Sequence, residues 1–359
     1  MKKNKVLIFG SFVVFLLIVF FLINLKNNKS KHFLQEGGFE RKKNNIAELT
    51  LIQNVNLYNG NYKILGYYNK QIYLHNFTRN TIYRFSESRP AIENSTININ
   101  EIFKTPISAS NISLDAKNGI IYIFSEATNT IYTYDIASQA TNEIKTNFLF
   151  NKGWKLNDVN FVFETESKQN INKDFVFTFL KYKNDLNQNI IYQKVDTSNL
   201  FLIDMVDDGI LNISGNSKLV YTCFYKNSLF VLDSNLKVIF KGKLIDTISK
   251  GPVVTFIGAN GTGRLEYASP VRMCNPNAQV INGKFLFNHS LVAANNDDNN
   301  FNESIVLDVY DISDVVKYQG SYYIPKFDDD VFNDFFIDGN RIFLVYSKHL
   351  FIYESKFEF

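Results

Sequence analysis

The sequence predicts an all-β fold, a β-propeller of six blades with seven as the alternative, preceded by one N-terminal transmembrane helix. Three observations lead to this prediction: apolar runs that do not alternate, a phrase that repeats at a constant offset, and an uncharged apolar stretch near the N-terminus. Hydrophobic residues make up 45% of the 359 residues and aromatic residues 15%, which suits a large core of strands. A net charge of +3 gives no basis for nucleic-acid binding.

The first element of the chain is the apolar stretch, which begins at Val6 and ends at Leu25 without a charged residue. A helix of about 20 apolar residues can cross the hydrocarbon core of a bilayer. No small-residue cleavage site ends the stretch, which favours an uncleaved anchor over residues 1–25, with a cleaved signal peptide as the alternative. Residues 26–50 are predicted to be a flexible polar linker. Residues 51–359 are predicted to be the propeller, outside the cytoplasm in the periplasm or at the cell surface.

The next element is a repeated hairpin, found first at residues 72–86 and again at residues 121–135. Ile72 aligns with Ile121 and Tyr83 with Tyr132, so the offset is constant at 49 residues. Each copy holds two strand-length runs joined by a short polar loop, which is typical of a β-hairpin. Weaker copies begin at Lys173, Lys218, Asn282 and Asp338. Asn-Gly or Asp-Gly pairs introduce several copies and predict tight turns.

The apolar runs at residues 120–124 and 342–346 do not alternate between apolar and polar side chains. A strand with one face in water alternates, so these strands are predicted to be covered on both faces. Repeated hairpins with two buried faces are typical of a propeller, whose blades stack face to face around an axis. A pair of β-sandwiches is the structural alternative.

A Gly-rich loop, Pro270, a turn and a strand follow one another between Gly258 and Phe287. This phrase resembles the inter-blade phrase of TolB-like and NHL-like six-bladed propellers, and the wider pattern covers roughly Tyr58 to Tyr353. The resemblance implies a membrane-anchored or exported bacterial propeller, a group with diverse functions. In this chain the Gly-rich phrase occurs once, and residues 293–304 form a long insertion.

Few residues are candidates for a functional site. His75 and His289 end the first run of their hairpins, where a propeller presents residues on its loop face, and no histidine has the spacing of a zinc site. These two are predicted ligand-binding residues, together with Arg264 and Arg272 of the Gly-rich phrase. That loop lacks the Gly-Lys-Ser/Thr ending of a phosphate-binding loop.

Oxygen-rich stretches lie at residues 295–300 and 327–334, without the glycine of an EF-hand loop. Both are predicted to be solvated acidic loops. Calcium binding through Asp328 and Asp338 is the alternative, and no other cofactor is predicted. Cys223 and Cys274 are predicted to be separate buried residues, with a disulfide left open.

The sequence favours a binding module that holds a protein or a small ligand on its loop face, as a subunit of a membrane-associated assembly or on its own. The alternative is a propeller enzyme with its site at the mouth of the central channel. Such an enzyme would be a calcium-dependent, lactonase-like hydrolase or a redox subunit resembling dehydrogenase heavy chains. His75, His289, Asp328 and Asp338 are its candidate residues.

Overall fold

The computed structural model describes residues 38–44, 49–86, 96–158, 160–168, 175–183, 190–191, 200–214, 218–259, 262–268, 270–297, 301–327 and 330–355. Within these ranges the chain forms β-strands and one short α-helix, α1 (Ile99–Phe103). The candidate anchor at residues 6–25 lies outside them. No helix among the described residues is long and apolar enough to cross a membrane.

Most strands belong to six sheets of four or five strands, numbered here in chain order. Sheet 1 contains β2 (Tyr62–Tyr68), β3 (Gln71–Asn76), β4 (Thr81–Ser86) and β5 (Thr96–Asn98). Sheet 2 contains β6 (Asn111–Asp115), β7 (Ile120–Ser125), β8 (Thr130–Asp135), β9 (Thr141–Thr146) and β13 (Ile190–Ile191). Sheet 3 contains β10 (Lys152–Lys155), β11 (Asn160–Lys168), β12 (Phe175–Lys183) and β14 (Leu200–Asp204).

The second half of the chain continues the pattern. Sheet 4 contains β15 (Gly209–Ile213), β16 (Leu219–Cys223), β17 (Ser228–Leu232) and β18 (Val238–Lys243). A separate hairpin follows, formed by β19 (Val254–Ala259) and β20 (Thr262–Tyr267). Sheet 5 contains β21 (Asn277–Ile281), β22 (Phe285–His289), β23 (Ser304–Asp311) and β24 (Lys317–Pro325). Sheet 6 contains β25 (Phe332–Asp338), β26 (Arg341–Tyr346), β27 (His349–Glu354) and β1 (Thr50–Asn56).

Sheet 6 joins the two ends of the folded chain. In the other sheets the four main strands lie side by side in chain order, each antiparallel to the next. In sheet 6 the fourth strand is β1, which pairs with β27 so that Thr50 lies opposite Glu354 and Asn56 opposite His349. The first strand of the domain therefore completes the last sheet.

Buried apolar clusters fill every interface between neighbouring sheets. One cluster each lies between sheets 1 and 2, 2 and 3, 3 and 4, 4 and 5, 5 and 6, and 6 and 1. The sheets therefore surround a common axis, and the first strand of each sheet lies nearest to it. The fold is an all-β propeller, as the sequence predicts, and not a pair of sandwiches.

Strand β7 shows why the apolar runs do not alternate. Ile121 and Ile123 belong to the cluster between sheets 1 and 2, whereas Tyr122 and Phe124 belong to the cluster between sheets 2 and 3. Both faces of the strand are covered, which confirms the prediction for this run. The repeated runs are the second and third strands of their sheets. The innermost strands were missed because they are partly polar, as in β6 with the sequence NISLD.

The prediction of a flexible linker over residues 26–50 is wrong for residues 38–44, named here the strap. The strap lies along sheet 5: the N–H of Asn44 donates to the Ser321 carbonyl at 2.8 Å, and the N–H of Ser321 donates to the Lys42 carbonyl at 2.8 Å. The N–H of Asn295 also donates to the carbonyl of Phe39, at 2.9 Å. These bonds dock the strap on the edge strand β24 and on the insertion between β22 and β23.

Arg41 fixes the strap by a buried ion pair. Its guanidinium is fully covered and donates to Asp308 at 2.8 and 3.0 Å and to Asp297 at 2.5 Å. Burial alone would lower the pKa of Arg41, but Asp308 and Asp297 outweigh burial, so the pKa is raised. Asp297 was predicted to lie in a solvated acidic loop, and this interpretation is wrong because its carboxylate serves as a buried counter-ion.

We expect Arg41→Met to lower the free energy of unfolding by about 3–5 kcal/mol, because it leaves two buried carboxylates without their cation. Lys42→Met is the matched control, since Lys42 is exposed and should change that free energy by less than about 0.5 kcal/mol. Urea unfolding of both variants measures the difference. Equal effects of the two substitutions would contradict the structural role of the ion pair.

Candidate ligand-binding site

One end of the propeller gathers the functional candidates. Because the strands of each sheet are antiparallel, the turn between the second and third strands lies at the same end as the connection to the next sheet. The starts of the innermost strands meet there: Lys63 Nζ donates to Asn111 Oδ1 at 3.2 Å, and Asn277 Nδ2 donates to the Asn333 carbonyl at 2.9 Å. We call this end the mouth face.

Strand register places one residue of each sheet at an equivalent position on the mouth face. The position lies on the second strand, opposite the start of the innermost strand. In four sheets the pairs are Lys63 with His75, Lys152 with Glu164, Gly209 with Cys223, and Asn277 with His289. The two predicted histidines therefore occupy the same position in different sheets, 1 and 5, rather than one site.

A charged group lies at the mouth where sheets 3 and 4 meet. Lys152 Nζ is 3.5 Å from Glu164 Oε2 and 3.9 Å from Asp208 Oδ1. Burial raises the pKa of Glu164 to about 7, against the opposing effect of Lys152. This carboxyl group therefore changes its charge near neutral pH.

A second charged pair lies where sheets 6 and 1 meet. Burial raises the pKa of Asp334 to about 6, although the Ile64 N–H donates to its carboxylate at 3.0 Å and Lys63 is nearby. Burial also lowers the pKa of Lys63, and the charge of Lys152 lowers it further. The mouth of the channel is therefore lined by both basic and acidic side chains.

A cleft of about 390 Å³ lies on the mouth face between sheets 5 and 6. Its lining includes polar groups from the starts of β21 and β25, and aromatic and aliphatic side chains from both sheets. Those that matter below are Asn277, His289, Phe301, Lys326, Val331 and Phe332. The cleft lies beside the channel mouth because Asn277 and Phe332 begin innermost strands.

His289, like its neighbour Ser290, is a buried polar residue of the cleft. The residue is 7% exposed, and its ring packs edge-on against Phe332 at 5.0 Å between centroids. Among the described residues, no group forms a hydrogen bond with its buried Nδ1 atom. Burial and then the charge of Lys326 lower the pKa of His289 to about 3. The imidazole is therefore neutral at physiological pH.

His75 differs from His289 in its surroundings. Its Nε2 lies 3.3 Å from Asn80 Oδ1, and its ring packs edge-on against Phe77 at 4.6 Å between centroids. Burial lowers its pKa to about 4. His75 is 1% exposed and does not line the cleft. The cleft therefore lies at His289 and not at His75, and a ligand contact by either residue stays a prediction.

Of the other predicted residues, Arg272 and Asp338 do not line the cleft. Arg264 lies in the hairpin, where its backbone pairs with Ile257, and Arg272 is exposed on the connection that leads to β21. Asp338 ends β25 at the opposite end of the propeller, so it cannot share a calcium site with the mouth-face histidines. Asp328 lies outside the described residues. Among those described, no three His, Cys, Asp or Glu side chains are grouped to hold a metal ion.

Sequence reasoning missed most of this site. Lys63, Lys152 and Asp334 belong to innermost strands that carry no clear apolar run. One signal could have located them: in several sheets a residue at the start of the innermost strand precedes its partner on the second strand by about a dozen residues, as Lys63 precedes His75. Cys223 and Cys274 are both buried and form no disulfide, in line with the favoured interpretation.

Comparison with known proteins adds little to what the sheets already show about the fold. No protein-family model and no curated protein matches the chain. Virginiamycin B lyase from Staphylococcus aureus is similar over 86% of this chain and 99% of its own, with 12% identity and a TM-score of 0.43. The Cps50 (Swd1) β-propeller domain from Myceliophteria thermophila is similar over 86% of this chain and 100% of its own, with 7% identity and a TM-score of 0.42. At these TM-scores no activity or ligand is carried over, and the resemblance to TolB-like and NHL-like propellers stays a prediction.

We expect Glu164→Gln to change the free energy of unfolding differently at the two ends of the pH range. The substitution should be more stabilising at pH 8 than at pH 4, by about 2–3 kcal/mol. The folded pKa, about 7, lies above the unfolded value of 4.5, so the native state loses stability as pH rises through this window. Urea unfolding at both pH values measures the difference. Glu126→Gln, in an exposed turn, is the control, and a pH-independent effect of Glu164→Gln would contradict the assigned pKa.

Proposed function

We propose that this chain is a non-enzymatic binding module, a six-bladed propeller that holds its ligand in the mouth-face cleft. The observation that carries the proposal is the cleft between sheets 5 and 6, where the buried His289 lies beside the aromatic rings of Phe301 and Phe332. Polar side chains, among them Lys326 and Asp330, also line it. A concave site with apolar walls and a few polar groups is the usual form of a ligand-binding site.

The six-blade part of the proposal rests on the sheets and their contacts. Each of the six sheets shares one apolar cluster with each of its two neighbours, so the sequence of interfaces returns to sheet 1. The hairpin formed by β19 and β20 is then an insertion between blades four and five, because within the described part of the chain its two strands pair only with each other.

The membrane part of the proposal rests on the sequence and on the strap. Residues 6–25 form an uncharged apolar stretch long enough for a spanning helix. Only twelve residues separate Leu25 from Gly38, the first residue of the strap. A retained anchor would therefore hold the propeller close to the outer surface of the membrane, on the extracytoplasmic side, as part of a membrane-associated assembly.

An enzyme with its site at the channel mouth is the second candidate, and one observation favours it. Glu164 has a pKa near neutrality at a charged position beside Lys152, a combination that general acid–base catalysis uses. The proposal of binding is preferred because the cavity lies at His289, in another sheet, whereas Glu164 does not line it.

A photo-crosslinking amino acid in place of Val331 tests binding at the mouth face. Val331 lines the cleft and is 67% exposed. Val315 is the matched control, because it is 64% exposed. It lies in the turn between β23 and β24, at the end of sheet 5 that is opposite the mouth face. We expect adducts in living cells from position 331 and none from position 315. Absence of adducts at 331, or equal yields at both, would contradict a mouth-face ligand.

Membrane attachment is tested separately. We expect the full chain to stay in the membrane fraction after an alkaline carbonate wash, because a helix over residues 6–25 would span the bilayer. Protease added to intact spheroplasts should digest the propeller if it lies outside. Release of a shortened chain into the soluble fraction would instead support the cleaved signal peptide.

A further inference from the structure

One wall of the cleft belongs to the insertion between β22 and β23, of which the structure describes residues 290–297 and 301–303. Four residues of this insertion line the cleft: Ser290, Leu291, Phe301 and Asn302. The N–H of Ser290 donates to the Val306 carbonyl at 3.0 Å, which fixes the beginning of the insertion on sheet 5. The position of the residues that follow depends on what packs against them.

The strap packs against this insertion. The side chain of Asn296 accepts a hydrogen bond from the Arg41 N–H at 2.9 Å and donates one to the Arg41 carbonyl at 2.8 Å. The Gly38 N–H donates to Asn295 Oδ1 at 3.0 Å, in addition to the bond between Asn295 and Phe39 described above. No residue of the strap, all of which the structure describes, lines the cleft. The strap therefore supports the wall without taking part in it.

Arg41 of the strap contacts two residues of the wall directly. Its Nη2 atom donates to Ser290 Oγ at 2.9 Å, and its guanidinium carbon lies 5.5 Å from the centroid of the Phe301 ring. A cation over the face of an aromatic ring is attracted to it. The guanidinium is itself fixed by Asp308 and Asp297, as described above. The position of the wall therefore depends on the position of Arg41.

We propose that the strap sets the shape of the cleft, with Arg41 as the positioning residue. When the strap is docked, Ser290 and Phe301 are held in the wall. When the strap leaves sheet 5, both lose this support and the cleft loses its binding shape. Such coupling is reciprocal, so a ligand that binds the formed cleft also favours the docked strap. This inference rests on the proposed function and adds a means of regulating the same site.

The place of the strap in the chain gives this coupling a consequence. The strap follows the predicted anchor and precedes β1, the first strand of the propeller. A force on the anchored end of the chain therefore reaches Arg41 before it reaches any sheet. Attachment to the membrane would in this way act on the cleft from outside it.

Hydrogen–deuterium exchange of the full chain in detergent, without added ligand, tests whether the strap holds the wall. Arg41→Met should raise the exchange rate of amides in residues 290–297 at least about tenfold relative to those of β26, because these amides lose the docked strap. Lys42→Met should leave this ratio unchanged, since the Lys42 side chain is exposed.

A second control separates this local effect from a general loss of stability. Ile131→Ala removes buried apolar atoms between sheets 2 and 3, away from the strap, and should also destabilise the whole protein substantially. The exchange rate of residues 290–297 relative to β26 should not rise in this variant.

The photo-crosslinking amino acid at position 331 tests whether the cleft depends on the strap. Arg41→Met should lower the yield of adducts at least about fivefold, whereas Ile131→Ala should retain it. Asn296→Ala keeps the buried ion pair but removes both bonds to the Arg41 backbone, and should lower the yield about twofold. Asn340→Ala, in the exposed turn between β25 and β26, is its control and should leave the yield unchanged.

Two results would overturn the inference. Equal acceleration of exchange by Arg41→Met and Ile131→Ala would show that Arg41 contributes to overall stability alone. Faster exchange with an undiminished yield of adducts would show that the ligand does not need the wall that the strap holds. Both results leave the proposed function intact, whereas absence of adducts at position 331 in the chain with an unchanged strap defeats the proposed function itself.

Discussion

The constraint on which the structure depends is that each sheet has two apolar faces and no water-facing side. Ile121 and Tyr122 are neighbours in one strand, yet they belong to clusters on opposite sides of it. A sheet of this kind must lie between two others, and a row of such sheets has no exposed face only if it closes. The pairing of β1 with β27 brings the ends of the chain together in the last sheet. Polar function is then left to the strand ends and connections, which form the mouth face and the opposite end.

Two buried polar groups near sheet 5 show how structural and functional candidates differ. Arg41 is fully covered, and its guanidinium donates to Asp308, Asp297 and Ser290. Its hydrogen-bonding capacity is used inside the protein, which suits a group that holds the strap in place. His289 is nearly as buried, but it lines the open cleft between sheets 5 and 6. A polar residue in the wall of a cleft is the better candidate for a ligand contact.

The electrostatics of the mouth follow from the same architecture. The innermost strands converge at the axis, so charged side chains from different sheets come close although they are far apart in the sequence. Lys152 meets Glu164 and Asp208, and Lys63 lies near Asp334. Burial raises the pKa of Glu164 and of Asp334, because a partly dehydrated carboxylate is less stable than its protonated form. The mouth therefore carries charge that depends on pH near neutrality, whereas the cleft beside it contains a histidine that stays neutral.

By itself, the sequence determined the fold class and the second and third strands of the repeats. Continuous apolar runs, such as residues 120–124 and 342–346, indicate strands that are buried on both faces. It also pointed to His289 as a mouth-face residue. It did not reveal the innermost strands, whose polar residues serve the channel, or the docking of the strap, since Arg41 looks like one of several cations in a polar segment. Only the tertiary structure decided which polar side chains find partners. His75 and His289 occupy equivalent strand positions, but His75 contacts the nearby Asn80, whereas His289 lines a cleft whose other wall comes from β25, distant along the chain.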